Sequence, residues 1–142
     1  MSAWLIDTGP LVAYLDAADR HHAEVADLID AFSGSLVTSG AVITEAMYFV
    51  STVRSGPELL AELVEASGMR VYDCAQPAEL KAAAKLMRRY ADTPMDYADA
   101  TLVLLADALD IADILTLDRR GFSTYRAEGR RAFRLVTERR DG

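Results

Sequence analysis

Short β-prone runs alternating with helical patterns predict an α/β fold: a central, mainly parallel sheet of four to five strands with helices on both faces. Two further observations support that class. Two of the β-prone runs end in an aspartate, where open parallel sheets place their ligand sites. The chain also has 142 residues, 51% apolar and 26% charged, enough for one domain to bury a core without disulfides or a structural metal.

The elements follow in order. Ala3 to Asp7 (AWLID) is a short apolar strand. Thr8-Gly9-Pro10 then opens a helix, because proline suits a first helical turn. Arg20 to Phe32 forms a second helix, with Val25, Leu28, Ile29 and Phe32 at helical spacing. Ser35 to Thr38 is the second strand, and Ser39 is placed to cap a helix from Gly40 to Val53. Ser55-Gly56-Pro57 breaks that helix and starts another, Pro57 to Ser67. Met69 to Tyr72 is a third strand, followed by helices Pro77 to Tyr90 and Met95 to Leu109. Ile111 to Leu117 contains the fourth strand, and Phe133 to Thr137 supplies a fifth.

Composition narrows the function classes. No apolar run reaches the roughly 18 residues that span a bilayer, and Met1-Ser2-Ala3-Trp4 is not the start of a secretory signal. The single cysteine, Cys74, excludes a disulfide framework within the chain and fits a reducing, cytoplasmic setting. Net charge is −7, divided unevenly: residues 1–118 carry −12 and residues 119–142 carry +5. The negative total argues against nonspecific coating of nucleic acid, but leaves room for a basic strip beside an acidic pocket.

Most acids lie on helix faces that water should cover. Four do not fit that pattern. Asp7 ends the first strand, either as a site residue or as a helix cap. Glu45 interrupts the apolar stretch Ala41 to Val50, where a carboxylate is costly unless paired, metal-bound or at the edge of the stripe. Asp99 has Met95, Leu102 and Val103 as helical neighbours, and Asp96 lies one turn earlier. Two such carboxylates repel unless a cation lies between them, although Asp96 also suits a helix start. Asp118 ends the Ile114–Leu117 run, as a site residue or a turn aspartate. An all-oxygen cluster of this kind suits Mg²⁺ or Mn²⁺. Two such ions about 4 Å apart would activate a water and stabilise the leaving oxygen of a phosphodiester.

Four segments carry a resemblance: LIDTGPLVAYLD (Leu5–Asp16), VITEAMY (Val42–Tyr48), DYADATLV (Asp96–Val103) and LTLDRRGF (Leu115–Phe122). In order and spacing the chain resembles the PIN-domain nucleases, most closely the VapC toxins of bacterial type II toxin–antitoxin pairs. The resemblance implies a single PIN-like, three-layer α/β/α domain over residues 1–142. It implies a metal-dependent endoribonuclease that cuts structured RNA such as tRNA or rRNA, leaving a 5′-phosphate and a 3′-hydroxyl. Asp7 and Asp99 match the main metal ligands, with Glu45 and Asp118 completing the catalytic set and Asp96 accessory. Thr8 and Thr116 match hydroxyls that brace these acids. A cognate VapB antitoxin, a homodimer, and DNA contact only through the antitoxin are implied as well.

Arg119 and Arg120 directly follow Asp118 and are candidates for RNA phosphate contacts, against a solvated loop. His21 and His22 read as surface residues; Tyr48, Phe49, Leu102 and Val103 read as core. Two other functions use the same features. One is a housekeeping PIN-domain RNA-processing nuclease. The other is a receiver-like acidic-pocket signalling module, which would want a lysine after a late strand; Lys81 and Lys85, the chain's two lysines, both fall in a helix.

Overall fold

The computed structural model describes residues 2–127 and 131–137. Five parallel strands, β1 (Ala3–Ile6), β2 (Ser35–Ser39), β3 (Arg70–Tyr72), β4 (Asp113–Leu115) and β5 (Arg134–Leu135), form one sheet in the order β3-β2-β1-β4-β5. Leu5 is in register with Val37 on one side and Ile114 on the other. The chain builds outward from β1 in one direction through β2 and β3, then returns to build β4 and β5 on the other side. The strand order therefore reverses at β1, and a ligand crevice is expected just beyond its carboxyl end.

Helices fill the crossovers: α1 (Thr8–Leu15) and α2 (His22–Ala31), α3 (Gly40–Val50) and α4 (Gly56–Ser67), α5 (Pro77–Arg89) and α6 (Tyr97–Leu109), and α7 (Arg119–Thr124). Right-handed crossovers send the first four and the last three to opposite faces of the sheet. The core is made of Leu5, Ile6, Val37, Ile114 and Leu115 from the strands with Leu11, Val25, Val42, Leu60 and Leu102 from the helices. No helix among the described residues is long and apolar enough to cross a membrane.

The α/β class and all five strands match the sequence expectation; β2 runs one residue further, to Ser39, and the other four strands are shorter than expected. The helix expected from Met95 starts at Tyr97, because Asp96 caps it. The helix from Gly40 stops at Val50. The six-residue α7 was not expected; it lacks a full period of apolar spacing to betray it. Tyr48 and Phe49 are not core. They are 75% and 54% exposed, whereas Leu102 and Val103 are buried as expected. Helix α3 buries Val42, Ala46 and Val50, an i, i+4, i+8 stripe that turns Tyr48 and Phe49 outward. Within the basic C-terminal run, Arg130, Arg139 and Arg140 lie outside the described residues.

Candidate functional site

The carboxyl edge of the sheet opens into a cavity of about 460 Å³, lined by Asp7, Glu45, Asp96, Asp99 and Asp118 together with Thr8, Gly9, Val12, Asp19, Phe49 and Leu117. Six acids from five segments, the expected Asp7, Glu45, Asp96, Asp99 and Asp118 together with Asp19, thus share one cleft beside the central strand where the order reverses. Arg119 and Arg120 sit exposed in the first turn of α7 and are not among the residues of its wall. His21 and His22 are half-buried and not among its wall residues, with the His21 amide donating to Asp19 at 2.8 Å and His22 Nδ1 2.8 Å from the Ala13 carbonyl.

Helix N-termini set Asp7, Asp96, Asp99 and Asp118 in place, and a side-chain hydroxyl holds Glu45. Asp7 caps α1, accepting the Thr8 amide at 2.8 Å on Oδ1. Its Oδ2 accepts the Thr116 hydroxyl at 2.8 Å. The same Thr116 oxygen accepts the Asp118 amide at 3.0 Å, so one buried hydroxyl ties the ends of β1 and β4 together. Asp118 caps α7 by accepting the Gly121 amide at 3.0 Å. A Cβ at position 121 would collide with the Asp118 carboxylate, so the carboxylate keeps this position only beside glycine. Asp96 and Asp99 form a reciprocal cap on α6: Asp96 accepts the Asp99 amide at 2.8 Å and Asp99 accepts the Asp96 amide at 3.1 Å. The Thr8 hydroxyl donates to Glu45 Oε1 at 2.8 Å.

Deeper residues fix the helices that carry these groups. Ser39 caps α3 through the Val42 amide, and its hydroxyl lies 2.7 Å from the Thr101 hydroxyl on α6. That buried contact sets Glu45 relative to Asp99. Tyr125, fully buried, donates its hydroxyl to the Pro94 carbonyl at 2.7 Å, pinning the segment that enters α6. Its ring meets Phe122 and Tyr90 edge to face. Sequence reading missed Tyr125, Thr101, Asp19 and Phe49 as contributors, since nothing in their local spacing distinguishes them from ordinary residues. Ser39 was legible as a cap.

Among the described residues the wall carries acids and no lysine or arginine. Burial pushes the Asp7 carboxyl up, against the hydrogen bonds from Thr116 and Thr8 that favour its charged form. Burial, with nearby Asp7 and Asp96, pushes Asp99 up to about 8. Glu45 is raised by burial and by the adjoining Asp96 carboxyl, and Thr8 works in the opposite sense. Such an all-oxygen set has the donor chemistry of a hard divalent cation, with no thiol or imidazole in the wall. Among the described residues, no three acidic side chains are drawn together as a closed ion cage. Each of the five expected carboxylates has an oxygen turned to a protein donor. The residues fit a cation by donor type, and binding one requires some of those contacts to be exchanged.

Known proteins resemble this chain at several levels. Residues 4–128 match the PIN domain family. The ribonuclease VapC26 of Mycobacterium tuberculosis is 40% identical over 134 residues, 93% of this chain and 98% of that protein. Mycobacterium tuberculosis VapC20, described as a sarcin–ricin loop cleaving toxin, superimposes with a TM-score of 0.74 at 18% identity, covering 83% of this chain and 91% of that one.

Proposed function

Because the chain belongs to the PIN-domain family, among its VapC-type ribonucleases, we propose that it is the toxin of a VapBC-type pair: a metal-dependent endoribonuclease that hydrolyses phosphodiester bonds in structured RNA. The observation that carries this reading is the cleft itself, where Asp7, Glu45, Asp96, Asp99 and Asp118 meet at the carboxyl edge of the sheet.

In this proposal Asp7 and Asp99 are the main ligands, Glu45 and Asp118 complete the set, and Asp96 is accessory. A Mg²⁺ or Mn²⁺ ion, when bound, would neutralise phosphate charge and lower the pKa of water. Thr116 holds the Asp7 carboxylate in one orientation, and Thr8 does the same for Glu45. Arg119 and Arg120, exposed on α7 next to Asp118, receive neighbouring phosphates of the RNA. Products carry a 5′-phosphate and a 3′-hydroxyl. The substrate class is tRNA or rRNA cut in exposed loops, where bases are free to be read. A VapB-type antitoxin, a homodimer and a cytoplasmic location belong to the same proposal.

Sequencing RNA ends after induced expression tests this reading. Wild type should produce discrete new 5′-phosphate ends, and Asp99→Asn should produce none. Undiminished cleavage by Asp99→Asn, or by wild type in EDTA, would overturn it.

A further inference from the structure

The exposed aromatic pair on α3 has no place in the chemistry described so far. Tyr48 and Phe49 are 75% and 54% exposed, and their rings meet edge to face at 5.5 Å and 74°. Leaving two large rings in water forgoes burial that the rest of α3 obtains through Val42, Ala46 and Val50. Phe49 also forms part of the wall of the acidic cleft.

We propose that Phe49, buttressed by Tyr48, is the platform on which an unpaired RNA base stacks beside the phosphate being cut. The assignment rests on the ribonuclease reading above and extends it to a substrate contact. Phe49 follows Glu45 by four residues on α3, so the two side chains stand one turn apart on the same face, roughly 6 Å. That separation is comparable to the one between a nucleotide's phosphate and its base. The occupant is a base and not a phosphate, since the Phe49 ring offers an apolar π-face and no charge or hydrogen-bond donor. Stacking is the usual contact for unpaired RNA bases and tolerates many sequences, because every base presents a π-face.

The test uses the full chain carrying Asp99→Asn to block cleavage, with mixed-sequence single-stranded RNA oligonucleotides containing 2-aminopurine. Binding should quench the 2-aminopurine signal. Phe49→Ala and Phe49→Leu should each lose the quenching and weaken binding about tenfold, whereas Phe49→Trp should keep both. Leucine preserves apolar surface without a ring, so it separates stacking from simple packing. In the cleavage-competent chain, Phe49→Ala should raise KM more than it lowers kcat. Unchanged quenching and affinity in Phe49→Ala would overturn the assignment. So would a loss of self-association or of antitoxin-peptide binding in Phe49→Ala with RNA binding intact, which would make the pair a protein contact. Absence of any RNA cleavage by wild type is a distinct result, and it would remove the ribonuclease reading underneath.

Discussion

Burial and two carboxylate neighbours hold Asp99 at about 8, well above its value of 3.8 in an unfolded chain. The folded state therefore keeps that proton longer than the unfolded state does. The resulting stabilisation is complete below about pH 4 and is lost as pH rises through about 8. Thermal melts in EDTA should show the melting temperature falling across that window. Asp99→Asn should flatten the fall, and a pH-independent wild-type melt would contradict it. Thr116 is a second single-residue test. Its hydroxyl donates to Asp7 and accepts from the Asp118 amide with no access to water. Thr116→Val keeps the shape and removes both contacts. If Asp7 holds a metal as proposed, activity should fall roughly 10–100-fold, with a stability loss of about 1–3 kcal/mol from the unpaired partners. RNA cleavage assays and denaturant unfolding check the two halves separately.

Helices contribute their termini. Asp7, Asp96 and Asp118 are the N-caps of α1, α6 and α7, so three partial positive charges point at the cleft and ease the repulsion among its acids. This is why strand-ending and helix-starting acids were legible in the sequence: one residue type serves as cap and as site. The short α7 was not legible, although it governs Asp118. Gly121→Ala should test it, because the added methyl would displace the Asp118 carboxylate. Cleavage should drop at least about tenfold while a large part of the thermal stability remains; wild-type turnover would show that Asp118 has no role. Tyr125→Phe probes the loop that enters α6. Losing its hydrogen bond to Pro94 should cost about 1 kcal/mol, read by denaturant unfolding. Helix α3 shows the limit of periodicity. Its sequence offers apolar residues on nearly every face, so spacing alone did not show that Tyr48 and Phe49 face out.

Across the whole molecule, a cation that binds the folded chain alone should stabilise it. At a hundred times its dissociation constant the gain is about 2.7 kcal/mol, a rise in melting temperature on the order of 5–10 °C. Melts with and without millimolar Mg²⁺ or Mn²⁺ measure this, and Asp7→Asn should abolish the response. An identical wild-type melt in all conditions would count against a divalent site. By itself the sequence determined the α/β class and a mainly parallel sheet of four to five strands, and it singled out the acids proposed for the site, since alternation of short apolar runs with helical spacing, and acids at their ends, are local patterns. Only the tertiary structure decided which of those acids meet, that one buried threonine joins two strand ends, and which face of α3 is wet. Those outcomes depend on how distant segments pack, and packing is a property of pairs of elements that no local spacing contains.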